Sequence, residues 1–278
     1  MKLGDLEFHI VVTGHFRLDG GAMFGVIPKT MWEPVAPPDS SNRILLAMNS
    51  LLIRAGGKRI LVETGAGDKL KPKLRAIYDQ DGPRLIEGLR DYGVHPEEID
   101  IVVDTHLHFD HCGGNTRVEK DKVVPTFPNA KYIVHKGEFE HAKNPNERDR
   151  ASYMPDNYMP IAAAGKFSLI EDDRVIAPGV ELINVPGHTA NMLCVKLAGG
   201  GKTAFLFADL VPMTPHLGLP WIMGYDLYPM TTLENKKKWI PHVAKEGWLA
   251  LFGHDANTPA AYLRERDGRW ETESVKVD

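Results

Sequence analysis

Cysteine is nearly missing: Cys112 and Cys194 are the two thiols in 278 residues. Two cannot build the disulfide framework of a small secreted scaffold, so reduced core thiols are expected, with a single bridge left open. Positive charge is not in excess either. Lys and Arg number 33 against 37 Asp and Glu, a formal net charge of −4, with no basic block to neutralise a run of phosphates. Nucleic acid is therefore not an expected partner. No apolar run approaches the ~20 residues of a membrane-spanning helix. The opening Met-Lys-Leu-Gly-Asp-Leu-Glu puts two carboxylates where a signal peptide needs an apolar stretch. A cytoplasmic protein with no membrane partner is expected. What is present, 43% hydrophobic and 25% charged residues, suits a globular chain with one large core, read as a single domain over 1–278.

Short β-branched and aliphatic runs bounded by Gly, Pro or Asp alternate with helical periods, which makes the class mixed α with β. Strands are expected at 44–62, as a pair around Gly56-Gly57, and at 101–104, 132–134, 181–185, 192–197, 204–207 and 249–252. Several neighbours are separated by a glycine turn such as Gly199-Gly200-Gly201, so much of the sheet must be antiparallel. Helices are expected at 84–91 and 233–245, each with an apolar face that covers a sheet. From 141 to 167 the pattern dissolves into Asn, Pro, Arg, Met and Tyr, which reads as a loop or lid insertion.

The chemistry concentrates in Thr105-His106-Leu107-His108-Phe109-Asp110-His111-Cys112-Gly113-Gly114, directly after an apolar strand. Four metal-ligating side chains fall within six positions. Alternate residues converge on one side, while adjacent Asp110 and His111 diverge towards different centres. Imidazoles with a carboxylate suit a borderline divalent cation such as zinc. Three more candidates follow expected strands: His188 in Pro-Gly-His-Thr, Asp209 in Phe-Ala-Asp and His254 in Phe-Gly-His-Asp. Strand ends that emerge on one edge bring distant residues together on a rigid frame. Seven donors are enough for two metals.

In motif order and spacing, from about Asn49 to Asp255, the chain resembles the metallo-β-lactamase superfamily of metal-dependent hydrolases. That resemblance implies a four-layer αββα sandwich, two mixed sheets covered by helices. It also implies two divalent ions, zinc first, with manganese, iron(II) or cobalt as alternatives. By position, His106, His108 and His188 would hold one metal, Asp110, His111 and His254 the other, and Asp209 would bridge them. Glu63-Thr64-Gly65 stands where the family usually carries Asp-Thr-Gly, whose carboxylate supports the histidine loop. Two ions ~3.5–4 Å apart share a water and bring its pKa from 15.7 towards ~7, giving a bridging hydroxide at neutral pH. Asp110 is then the expected catalytic proton carrier.

The remaining histidines, 9, 15, 95, 135, 141 and 242, are read as structural or surface residues, and Lys236-Lys237-Lys238 as a solvated helix face. Gly113 and Gly114 are read as allowing a tight turn, and Cys112 as packing. Met23, Phe24, His216, Trp221 and Tyr225 are the candidate substrate-pocket residues, in irregular aromatic segments. The expected partner is a small molecule, with a homodimer left open. The leading activity is hydrolysis of a lactone or carboxylic ester, with a phosphotriesterase as its rival. Against a lactonase, many of which carry a tyrosine three residues after the bridging aspartate, this chain has Pro212. From other classes, a mononuclear iron oxygenase and a non-catalytic metal-binding module remain.

Overall fold

The computed structural model describes residues 1–82 and 84–276. Residues 83, 277 and 278, which the expected 1–278 domain includes, lie outside the described residues. In chain order the strands are β1 (Lys2–Leu3), β2 (Leu6–Asp19), β3 (Arg43–Ala55), β4 (Lys58–Val62), β5 (Ile101–Val103), β6 (Thr116–Glu119), β7 (Lys122–Pro125), β8 (Lys131–His135), β9 (Phe167–Ile170), β10 (Arg174–Ala177), β11 (Val180–Asn184), β12 (Leu193–Gly199), β13 (Lys202–Leu206), β14 (Leu249–Leu251), β15 (Ala260–Arg266) and β16 (Arg269–Ser274). The helices are α1 (Gly20–Phe24), α2 (Lys29–Trp32), α3 (Pro72–Tyr78), α4 (Leu85–Asp91), α5 (Phe109–Cys112), α6 (Lys136–Lys143), α7 (Met159–Ala163) and α8 (Pro229–Lys245).

Two seven-stranded sheets form, in the orders β1-β2-β3-β4-β5-β8-β9 and β10-β11-β12-β13-β14-β15-β16. Both are mixed. The first turns from antiparallel to parallel at β4 and β5, and the second is antiparallel apart from the β13 and β14 pair. Alternation along β3 shows how the layers arise. Leu51 and Ile53 point into the core between the sheets with Val62, Val103, Leu182, Val195 and Leu206. Leu52, between them in sequence, points the other way, under Leu85 and Leu89 of α4. On the far side, Trp239, Ile240 and Val243 of α8 cover Phe205, Phe207 and Phe252. The layers are therefore helix, sheet, sheet, helix, as the resemblance implied.

The expected strands and both covering helices appear, with boundaries shifted by a few residues. β2 and the β15 and β16 hairpin are the longest of the strands that were not anticipated. β2, 14 residues long, carries a register shift against β3 between Val12 and His15. The β15 and β16 hairpin turns at Asp267-Gly268, and its outer strand is largely exposed and charged, so it lacks the apolar signature of a buried strand.

The lysine run at 236–238 corrects the reading of a uniformly solvated face. Lys237 and Lys238 are exposed, but Lys236 is fully buried and its Nζ donates to the carbonyls of Gly218 (2.6 Å), Trp221 (2.8 Å) and Leu219 (3.3 Å). It ties α8 to the 218–221 segment. Burial pulls its pKa down to about 7, against the opposing pull of the Asp226 carboxylate. Below that pH the folded and unfolded states both carry the proton. Above it the folded state sheds the proton while the unfolded lysine holds it until ~10.4, so stability rises with pH over that window. Lys236→Met is expected to remove this rise and to cost about 2 kcal/mol at pH 7, because three carbonyls lose their donor. Urea unfolding at pH 6.5 and 9 checks both points.

Candidate metal centre

All seven candidate donors follow strand ends on one edge. β4 and β5 run parallel, as do β13 and β14, and β11 shares the direction of β13 through two antiparallel pairings. The segments after β11, β13 and β14 therefore emerge together, carrying His188, Asp209 and His254, and the segment after β5 meets them, with His108 Nδ1 3.0 Å from His188 Nε2 and His111 Nε2 3.1 Å from His254 Nε2. Two non-glycine residues here adopt positive φ, Glu63 at 66° and Ala208 at 47°, a strain that persists where surrounding structure enforces it. Gly113 and Gly114 serve close approach rather than turning. A Cβ on Gly113 would meet the carbonyl oxygen of Ala66 at 2.2 Å, and one on Gly114 that of Thr64 at 2.3 Å.

The seven donors fall into overlapping groups: His106, His108 and His188; His106, His111 and Asp209; and Asp110, His111 and His254. His108 Nδ1 lies 3.1 Å from His106 Nε2 and 3.0 Å from His188 Nε2. His254 Nε2 lies 3.1 Å from His111 Nε2. Asp110 Oδ2 is 3.7 Å from both His111 Nε2 and His254 Nε2. Asp209 spans the two groups. Its Oδ2 is 3.4 Å from His188 Nε2, and its Oδ1 is 3.3 Å from His254 Nε2 and 3.5 Å from His111 Nε2.

Partners behind the rings decide which nitrogen carries the hydrogen. His254 Nδ1 donates to the Ala47 carbonyl (2.8 Å), His111 Nδ1 to Glu63 Oε2 (2.7 Å) and His188 Nδ1 to Asp226 Oδ1 (2.9 Å). In the neutral rings the Nε2 lone pairs then face inward. Two such lone pairs 3.1 Å apart repel unless a cation or proton lies between them. Metal ions fit this donor set: the rings are neutral ligands, the carboxylates supply charge, and no thiolate takes part. Cys112 is buried with its Sγ on the Leu107 carbonyl, and Cys194 on that of Phe207; both are free.

Without a cation, protons would partly take its place. Burial lowers His106 and His108 well below the usual imidazole pKa, and neighbouring imidazoles lower them further. For His111, His188 and His254 burial also pulls down, but nearby carboxylates, Asp209 foremost, outweigh it and raise them. Burial raises Asp209, yet His111, His254 and His188 hold it well below the normal carboxylate range.

Sequence reasoning named Glu63 at the supporting position and left its role open, and it missed Asp226. The longer Glu63 side chain reaches both targets, His111 and the backbone N–H of Thr105 (2.8 Å). Asp226 is buried in the aperiodic 217–230 stretch and takes a second hydrogen bond from Thr232 Oγ1 (2.7 Å) at the start of α8. Asp226→Ala is expected to weaken retention of one metal by about 10–100-fold, the usual worth of such outer partners. Competition against a chelator reads this directly.

A cavity of about 300 Å³ opens over the donors. His108, Asp110, His188, Asp209 and His254 form one wall, and Leu18, Met23, Leu46, Phe109, Met223 and Leu227 supply apolar surface. Of the candidate pocket residues, Met23 and Tyr225 line it. Phe24, His216 and Trp221 do not. They pack behind the wall, where the Phe24 ring stacks on His216 (4.9 Å) and meets Trp221 edge-on (5.5 Å), and His216 Nε2 contacts the Met23 carbonyl oxygen at 2.9 Å. Apolar side chains in an irregular segment do not reveal which face they present, and three of these five face inward. Tyr78 and Arg148 line the cavity and were not anticipated.

The 141–167 insertion is pinned rather than free. Phe109 N–H donates to the Ser152 carbonyl (2.9 Å), residues 108 and 153 form an isolated antiparallel bridge, and Tyr153 Oη donates to Glu138 Oε1 (2.8 Å). The insertion thus hydrogen-bonds to the loop that carries His108.

A sandwich with histidine and aspartate clusters at the strand ends of one edge defines a metal-binding αββα protein. The family model described as the metallo-beta-lactamase superfamily matches residues 44–254. The chain belongs to that superfamily. An N-acyl homoserine lactonase of Bacillus thuringiensis is 28% identical over 183 residues, 62% of this chain and 62% of the lactonase. The chain thus spans less than two thirds of that relative. The N-acyl homoserine lactonase AiiB of Agrobacterium fabrum is 26% identical over 284 residues, covering 95% of this chain and 99% of that protein. A crystal structure titled as a "probable metal-dependent hydrolase" from Staphylococcus aureus superposes with a TM-score of 0.91 at 29% identity, covering 100% of both chains. Among the described residues no helix is long and apolar enough to cross a membrane.

Proposed function

We propose that this protein is a dinuclear metal-dependent hydrolase of small ester-like substrates, a lactone or carboxylic ester. One observation carries the reading: Asp209 turns one carboxylate oxygen towards each of two histidine groups in the wall of a cavity with much apolar lining. His106, His108 and His188 would hold one ion and Asp110, His111 and His254 the other. When bound, the ions supply Lewis acidity, polarising a carbonyl oxygen and acidifying water. The lactonase relatives agree with the bond class.

The chain's own residues supply the rest. Met23, Leu46, Phe109 and Met223 seat an acyl or ring portion and exclude water. Asp110, on both the donor cluster and the cavity wall, receives and returns the proton. Burial, and after it the Asp110 charge, raises the phenol pKa of Tyr78. Burial leads for Tyr225 too, with the charges of Tyr78, Asp19 and Asp110 adding to it. Both stay protonated and available as hydrogen-bond donors. The test is acid release from a panel of lactones, carboxylic esters, thioesters and phosphotriesters, using chelated protein and protein reloaded with zinc, manganese or cobalt. Metal-dependent release confined to lactones or esters is the expected result. Release confined to phosphotriesters would overturn the bond assignment. Silence across the panel with both metals bound would overturn the hydrolase reading.

A further inference from the structure

Arg148 is the one lysine or arginine among the described residues that line the metal cavity. Three carboxylates share that lining, and the guanidinium pairs with none of them. Asp110 and Asp209 belong to the donor groups, and Asp149 turns its Oδ2 to His141 Nε2 (2.6 Å). The arginine is nevertheless held. Its Nη2 donates to the Gly224 carbonyl, whose own N–H donates to the Ala22 carbonyl (2.8 Å) and so ties the anchor to α1. At the other end, Asn146 Oδ1 accepts from the backbone N–H of Arg148 (2.9 Å). The side chain therefore runs from the segment with Asp149 and Ser152 to the segment with Met223 and Gly224, and all four of these residues line the cavity. That places the guanidinium at the cavity edge. Arginine carries five N–H donors; one goes to Gly224, and the others have no protein acceptor among the described residues. Arg148 is exposed, so a ligand entering from solvent reaches them.

We infer that Arg148 is a specificity-determining residue that receives a carboxylate carried by the substrate, away from the bond that is cleaved. The inference rests on the hydrolase reading and narrows its substrates to esters or lactones that bear a free carboxylate. A guanidinium keeps its charge at any working pH, and its planar fork matches the two oxygens of a carboxylate. One guanidinium offers one such fork, which suits a single carboxylate. Because the side chain is tied down before the ligand arrives, less conformational freedom is lost on pairing. Leu18, Leu46, Met223 and Leu227 in the same lining offer an anion no rival donor. Arg148 then decides which end of the substrate lies at the cavity edge and which is left for the donor groups.

The experiment compares half-esters of dicarboxylic acids of increasing chain length with the matching neutral diesters, on metal-loaded protein. Arg148→Ala is expected to lower the half-ester to diester ratio of kcat/KM by about tenfold at the best chain length, the worth of a charge-assisted pair at an exposed site. Arg148→Lys, which keeps the charge and loses the fork, should lower it by less. A ratio that stays constant in Arg148→Ala would overturn the proposal, whether both rates hold or both fall together through loss of the tie to Gly224. Calorimetry gives a readout without turnover, using a dicarboxylate and the monocarboxylate of the same length on the wild type and Arg148→Ala. If no ester is cleaved and the dicarboxylate alone binds about tenfold tighter to the wild type than to the variant, the hydrolase reading fails and the Arg148 subsite stands. If esters are cleaved and neither the ratio nor the binding depends on Arg148, the subsite fails by itself.

Discussion

Asp209→Ala is expected to lower the content of both metals and to reduce hydrolysis by more than the roughly 100-fold that an outer partner is worth. The geometry gives the reason. One oxygen of Asp209 faces His188 and the other faces His111 and His254, so truncation strips a ligand from each group and removes the negative charge they share. Asp226→Ala, which removes a partner from His188 and from no other of the seven candidate donors, should loosen one ion and leave the other. Metal analysis of dialysed protein separates the two cases. Retention of one full equivalent in Asp209→Ala would show that this carboxylate serves a single ion, and two full equivalents would remove it from the centre. Without a metal the same substitution acts on protons: three buried imidazoles lose the carboxylate that raises their pKa, and they should become neutral at a lower pH.

The donors were legible because metal chemistry restricts residue type and spacing together. His106, His108, Asp110 and His111 lie in a run that begins three residues beyond the end of β5, and the later three each sit a few residues past a strand that its aliphatic run announces. Where chemistry does not restrict the type, the sequence spoke less clearly. Asp226 supports His188 from an aperiodic stretch, and any Asp in a Pro- and Gly-broken segment has the same appearance. Pocket lining failed for a related reason: Phe24 and Met23 are neighbours in α1, yet Met23 meets the cavity and Phe24 the Trp32 and His216 rings. Lys236 did leave a signal. It falls at helical spacing with Thr232, Trp239, Ile240 and Val243, the buried face of α8, and that periodicity outweighs the solvation suggested by two lysines beside it. In β2 apolar residues hold the even positions on both sides of Gly14, Leu6, Phe8, Ile10, Val12, Phe16 and Leu18, so the strand was legible, while the register shift between Val12 and His15 leaves no mark in that alternation.

Asp110→Asn is expected to reduce kcat by about a hundredfold or more while the fold persists, as loss of a proton-transfer group does. The substitution keeps shape and one carbonyl-type oxygen but removes the charge and the capacity to take a proton. Other cavity groups do not substitute for it. Tyr78 and Tyr225 hold their protons through burial, and Asp209 is committed to three imidazoles that hold its pKa low. Asp149 is engaged by His141 through Oδ2. Because Asp110 also belongs to the group with His111 and His254, rate and metal content must be measured on the same preparation. A hundredfold fall with both metals retained assigns the loss to proton transfer. A fall that tracks the loss of one metal, and recovers when that metal is added in excess, makes Asp110 a ligand alone. A full rate at intact metal content would take the proton role from Asp110 and leave a centre that binds metal without needing this carboxylate for catalysis.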